Sequence, residues 1–273
     1  MMSWPIFWQT LKSYWSTILF YCGGLFLYSM LLTFIYPIAQ DLGTNYTEIF
    51  NKIPVQIREA LGGGNFLDNG MSFEGFLSLE HLKFFWVIAV CAFMIGFASR
   101  AIAGEVEQGT IALLLSQPVT RTQIFFSKLA VGVIGIVALT TATIGGMLWQ
   151  AYRLDITTAP IEGYWTFIGV AILFFVSIFA LAMMFSTMVA ERGRATLLPL
   201  LFVIISFVVE LFAKLNADWE NLKWLSIFYY YGTPDAIITT ASIDNVNLWV
   251  FAGIIVAAIM AGLIAFNRRD IAV

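Results

Sequence analysis

Long uncharged stretches alternate with short clusters of charge along this chain. Six stand out, at 13–40, 84–104 (interrupted by Arg100), 129–152, 163–190, 195–213 (with Glu210 inside) and 245–267. A helix needs about 20 residues to cross the hydrocarbon core of a bilayer, and each stretch supplies roughly that number or more. Strands of a membrane barrel would be shorter and would alternate polar and apolar positions, a pattern that is missing here. The spacing predicts an all-α polytopic membrane protein, a single transmembrane domain over 1–273. Its six transmembrane helices are expected at about 16–38, 84–104, 128–150, 164–190, 195–214 and 246–267. An even number of spans puts both chain ends on one side.

The segments between these spans carry their own periods. Trp4, Phe7, Trp8, Leu11 and Trp15 recur at helical spacing, with Gln9, Thr10, Lys12 and Ser13 on the other face and Pro5 suited to a first turn. This predicts an interfacial helix at 3–15, lying on the membrane surface before the first span; the alternative is a simple extension of that span. In the long loop at 41–83, Ile49, Phe50, Ile53, Ile57 and Leu61 form a helical apolar stripe that Gly62, Gly63 and Gly64 end. A short helix on the outer surface is expected there. The loop between spans five and six is rich in Trp and Tyr and suits the same interface. The first apolar run is too long for a cleaved secretory signal and has no small-residue cleavage site, so it is expected to remain as a span.

Composition narrows the function classes. Of 273 residues, 60% are hydrophobic and 11% charged, against about 45–50% and about 25% in soluble domains; the mean hydropathy is +0.86. A soluble enzyme, a disordered tail and a disulfide scaffold are all excluded by such a balance. The net charge of −3 offers no basic excess for nucleic acid. Cys22 and Cys91 both sit in apolar runs, where packing is the simpler role. One histidine, His81, and no short-spaced cluster of His, Cys, Asp and Glu give no metal site. No G-x-x-x-x-G-K-S/T phosphate loop occurs, so ATP is not expected to bind this chain. Neither a nucleophile with its base nor a carboxylate pair lies within the spans, so no catalytic residue is assigned and the chain is not expected to be an enzyme.

The scarce charges orient the chain. With both termini cytoplasmic, the shorter inside segments hold eight of the 14 Lys and Arg residues and four of the 17 acids, while 12 acids fall on the outer loops. Basic residues favour the cytoplasmic side. Trp86, Trp149, Trp165 and Trp249 fall at the outer ends of spans, as an aromatic belt requires. Glu210 is the sole acid within an apolar run; it lies near the outer interface with Lys214 four residues on, an arrangement that reads as a snorkelling pair. Gly253, Ala257, Ala261 and Ala265 recur every fourth residue in the last span and form a small ridge for helix packing, within the chain or against a second copy.

One inside connection, 104–127, is far more structured than the rest. Glu105 and Glu107 follow the second span, Thr110 to Leu115 is mostly apolar, and Pro118 ends that piece. Thr120 and Gln123 then match a capping box, with Val119 and Ile124 at staple spacing. The pattern predicts a helix, a sharp turn and a new helix held close to the membrane, with an apolar, acid-flanked surface suited to another protein; the alternative is a re-entrant or interfacial turn with no partner.

Glu105, Gly109, Thr110, Leu114, Leu115, Pro118, Val119, Thr120, Arg121 and Lys128 together resemble the central motif of the permease subunits of ABC-2 type transporters, and the ending Phe266-Asn-Arg-Arg-Asp-Ile271 is similar to that of many members. The resemblance covers nearly the whole chain. It implies a plasma- or inner-membrane permease, an exporter in most members, that works as a dimer beside separate ATP-binding-cassette ATPase subunits. ATP and magnesium would be held by those subunits, with no cofactor in this chain. It also implies that 104–127 is the coupling loop; there Glu105 and Glu107 either pair with basic groups of the ATPase or are simply solvated, and Arg121 meets lipid phosphate or the partner. Alternatives are a non-transporting membrane scaffold of a larger complex and an ion-gradient-driven secondary transporter; the latter usually places acids at mid-membrane, and this chain has none there.

Overall fold

Six long helices, joined by short ones, make up this computed structural model, which describes residues 2–41, 72–215 and 217–269. In chain order the helices are α1 (Trp4–Asp41), α2 (Phe73–Leu77), α3 (Phe85–Ser99), α4 (Glu105–Glu107), α5 (Ile111–Leu115), α6 (Arg121–Arg153), α7 (Ile161–Met188), α8 (Arg192–Leu215), α9 (Ile227–Tyr231), α10 (Pro234–Thr240) and α11 (Asn245–Arg268). A π turn, Ser78–Leu82, leads into α3; a second, Arg100–Gly104, leads out of it to α4; and Ala217–Leu225 is a 3-10 helix. No strand occurs among the described residues. Six helices, α1, α3 with its continuation to Glu107, α6, α7, α8 and α11, are long and apolar enough to cross a membrane. The chain is thus all-α and polytopic.

Helix starts are set locally. Thr120 caps α6 and Asp244 caps α11 through side-chain acceptors for the first free N–H groups, while Pro234 opens α10 with no N–H to lose. The six long helices alternate in direction, so Ser3, Ser127, Arg192 and Arg269 gather at one end of the bundle, called here the near end. The π turn Ser78–Leu82, α9 and α10 close the far end.

The core lies on α3, α6 and α7, whose apolar windows are 61–67% buried, against 17–22% for α1, α8 and α11. Phe174, Phe175, Phe179, Trp86 and Phe251 fill it, with Trp86 edge-on to Phe175 at 5.0 Å. Two glycines allow backbones to touch. A Cβ on Gly146 of α6 would lie 2.5 Å from the Phe26 carbonyl oxygen of α1, and one on Gly163 of α7 would lie 1.7 Å from that of Ile238 in α10.

Several features differ from what the sequence predicts. α1 shows no break between an interfacial helix and the first span; it runs as one helix from Trp4 to Asp41. The reason is packing, since Ile6 and Phe7 are buried and Ser3 bonds to Ser127, so the first turns follow α6. Trp149, Trp165 and Trp249 are exposed, but Trp86 is wholly buried in the aromatic core rather than in a belt. The stripe Ile49–Leu61 with its glycines, and Asp270 and Ile271, lie outside the described residues.

Candidate functional site

The near end is built from side chains that seize main-chain carbonyls. The last four carbonyls of a helix have no partner within it and attract cations. Arg121, opening α6, donates to the carbonyl oxygens of Phe266 (2.7 Å) and Arg269 (2.6 Å) at the end of α11, and stacks over the Phe266 ring at 5.8 Å. Arg269 donates in turn to Thr187 and Val189 oxygens at the end of α7, both at 3.0 Å. Lys128, 3% exposed, reaches Glu105 Oε1 at 2.5 Å and also donates to the Ala101 carbonyl inside the π turn. Glu107 Oε2 accepts from the Arg192 backbone N–H at 2.6 Å, at the start of α8. Ser186 Oγ accepts from the Ala103 N–H at 3.0 Å.

Glu105 and Glu107, expected either to meet a partner or to be solvated, and Arg121, expected to meet a partner or lipid phosphate, each also brace one helix end of this chain to another. Spacing in sequence could not show this, because their partners lie 23 to 148 residues away. The basic pair Arg268-Arg269 after a long apolar helix was the available signal, as cations favour a helix C-terminus.

On this brace stands a short projecting segment. Gly109 takes φ +72°, the left-handed region that glycine enters at least cost, and turns the chain after α4. Thr110 Oγ1 bonds back to the Glu105 oxygen at 3.3 Å. In α5, Ile111 is 2% exposed and anchors the helix, Leu114 and Leu115 are half-buried, and Leu113 is 70% exposed. The chain then turns through exposed Pro118 to Thr120, where the capping box expected from sequence forms: Thr120 N–H donates to Gln123 Oε1 at 2.9 Å and Gln123 N–H to Thr120 Oγ1 at 3.2 Å. Glu105, Glu107, Gly109, Thr110, Leu114, Leu115, Pro118, Thr120, Arg121 and Lys128 thus share one end of the bundle.

The far end is different in kind. Glu74, 5% exposed, accepts from the Tyr164 hydroxyl (2.9 Å) and the Ala159 N–H (2.6 Å). The Tyr231 hydroxyl donates to the Leu82 carbonyl at 3.1 Å, and the Ser78 hydroxyl to Asp235 Oδ1 at 3.4 Å. His81 meets Ser29 of α1 at 3.1 Å; burial pushes its imidazole down to about 3, so it is neutral. Glu210 does not snorkel as expected: it is 3% exposed and lies 2.7 Å from Lys214 and 3.9 Å from Lys83, which is itself 2% exposed. Lys83, from the segment just before α3, reaches it, a neighbour that span-by-span reading cannot foresee. Burial pushes Lys83 down to about 8, against the pull of Glu210.

Between α3 and α8 a cleft of about 490 Å³ runs from Gly96 to Lys83, lined by Val87, Ile95, Leu200, Val203 and Phe207. On α11 the buried face is Phe251, Ala258, Gly262 and Phe266, whereas Gly253 and Ala257 are exposed and Ala261 and Ala265 half-buried. Most of the small-residue ridge therefore lies outside the packed core of this chain.

Six apolar helices, braced at one end beneath an outward-facing short helix, form the frame of a multi-pass membrane protein. The family model described as an ABC-2 family transporter protein matches residues 16–271, and the chain belongs to that family, the membrane-spanning component of a transporter. No curated protein matches the sequence.

Proposed function

We propose that the chain is the permease subunit of an exporter driven by a separate ATP-binding-cassette ATPase, with α4, the Gly109 turn and α5 as the coupling element. The observation that carries this reading is α5 itself: an apolar helix of five residues projecting Leu113 to solvent from a platform that Lys128, Glu107 and Arg121 tie to four spans. An exposed Leu on a braced helix suits a groove on a partner. Glu105 and Glu107 serve the platform rather than the partner's surface. When ATP changes the ATPase, α5 is displaced, and the brace passes that displacement to α3 and α6; the ATPase must hold α5 differently in its two states for this to work.

The termini lie in the cytoplasm of the cell membrane, as the distribution of Lys and Arg favours. Two permease copies assemble, and the open faces of α1, α8 and α11 provide the surface for it. The cargo is amphiphilic, its apolar part following the cleft between α3 and α8; the apolar lining of that cleft supports this. ATP and magnesium bind the ATPase. The test is co-purification with the ATPase encoded beside this chain, and transport by the pair in vesicles. Leu113→Glu is expected to abolish association while leaving the thermal melting of the isolated chain within about 0.5 kcal/mol of wild type, as an exposed substitution should. Undiminished association in Leu113→Glu would refute the coupling role. Association without ATP-dependent transport of any amphiphile would make the chain a scaffold.

A further inference from the structure

A second cleft, of about 320 Å³, lies beside the coupling segment. Its walls include the polar face of α1 (Gln9, Thr10, Ser13), Arg100, and Thr110 and Gln117 from the coupling segment. What marks it is the number of hydrogen-bonding groups that the fold leaves unused. Further along α1, Ser29 and Thr33 donate to the carbonyl one turn back, at 2.7 and 2.9 Å. Thr10 and Ser13 do not, and among the described residues the side chains of Gln9 and Gln117 also lack a hydrogen-bond partner. Arg121 and Arg269 are both engaged by carbonyls, but Arg100 forms no salt bridge among the described residues. Lys128 and Glu105 form another wall and neutralise each other. The cleft is therefore rich in donors and carries excess positive charge.

Its depth is equally telling. On the opposite face of α1, Trp4, Trp8 and Trp15 are 60%, 52% and 54% exposed. Indole rings favour the level of lipid headgroups. The turns of α1 that line the cleft thus carry, on their other face, the rings that suit headgroup level, and the cleft is expected at that level.

We propose that this cleft binds a phosphate group, supplied by an anionic membrane phospholipid. The phosphate accepts from the Arg100 guanidinium and from the hydroxyls and amides of Gln9, Thr10 and Ser13; a planar guanidinium suits phosphate oxygens well. Because Thr110 and Gln117 line the same space, the bound headgroup joins α1 to the coupling segment and makes its position sensitive to lipid composition. Leu113 lines the cleft too, so the lipid and the partner of the proposed function approach the same segment.

The test is native mass spectrometry of the purified full-length chain in detergent, titrated with dihexanoylphosphatidylglycerol. One saturable lipid per chain is expected, bound about 10-fold more weakly by Arg100→Gln and about threefold more weakly by Thr10→Val, with Arg100→Lys intermediate. Arg194→Gln, at an exposed arginine of the same end paired with Glu191, should bind as wild type does. Inorganic phosphate competing at concentrations equal to the lipid would keep the phosphate site but assign it to a free ligand; failure to compete assigns it to lipid. Equal binding by wild type, Arg100→Gln and Thr10→Val overturns the proposal, as does displacement of bound lipid by the ATPase subunit, which would make the cleft a protein contact. Should Arg100→Gln fail to fold, Thr10→Val decides alone.

Discussion

The two ends of the bundle are held shut by different chemistry. At the near end, cationic side chains grip the carbonyls of helix termini, and the short helix that rests on them is half-exposed. At the far end, carboxylates, lysines and hydroxyls are enclosed with an aromatic plug, and α10 touches α7 backbone to backbone. The contrast teaches where motion is cheap. Main-chain carbonyls near a surface can exchange one donor for water, while buried ion pairs lose heavily when opened. Apart from the Lys128–Glu105 pair, whose carboxylate is 27% exposed, the near-end contacts should therefore open at lower cost than the enclosed far-end pairs.

Three experiments break or sharpen that contrast. The largest effect is expected from Lys128→Met, which strands the Glu105 carboxylate and the Ala101 carbonyl at the near-end ion pair. It should destabilise the chain by about 3 kcal/mol in detergent unfolding, and the added change Glu105→Gln should restore part of the loss. A change below about 0.5 kcal/mol, the range of an ordinary surface substitution, would show the pair to be an exposed one in practice.

The next probes the far end by pH. Lys83 in the folded chain titrates near 8, below its ordinary 10.5. Between those values the unfolded chain binds the additional proton, so stability rises with pH through that window. From pH 7 to 9.5 wild type should gain about 2 kcal/mol relative to Lys83→Met. Parallel pH profiles for the two would mean that no buried lysine titrates there.

The smallest effect belongs to Gly109→Ala, which forces a side chain into the left-handed turn at a cost of about 1 kcal/mol. Its melting should fall only slightly, while, on the function proposed above, transport by the assembled complex should fall several-fold because α5 is re-aimed. Loss of stability without loss of transport would place the turn outside the coupling path.

Much of this was legible in the sequence, though unevenly. Span number and helical class follow from apolar runs between charges, because a bilayer imposes one length on every crossing helix. The capping box at Thr120 was legible because both partners lie within four residues. The pairing of Lys128 with Glu105, or Arg121 with the end of α11, was not, because such contacts depend on which helices become neighbours. Glu210 illustrates the same limit: Lys214 at i+4 was visible, but Lys83, which arrives from another span, was not. The two π turns flanking α3 also left no sequence signal; they are seen through the carbonyls they offer to Tyr231 and Lys128.

The grip of Arg121, Arg269 and Lys128 on backbone oxygen has a genetic consequence. A side-chain change at Phe266, Thr187, Val189 or Ala101 leaves the accepting carbonyl in place, whereas a change at any one of the three donors removes the contact outright. Each of these joints thus has one mutable half. Random mutagenesis scored by the yield of folded protein in membranes should therefore find intolerance concentrated on three basic residues, with their acceptor positions free to vary in size and polarity so long as helix geometry is kept.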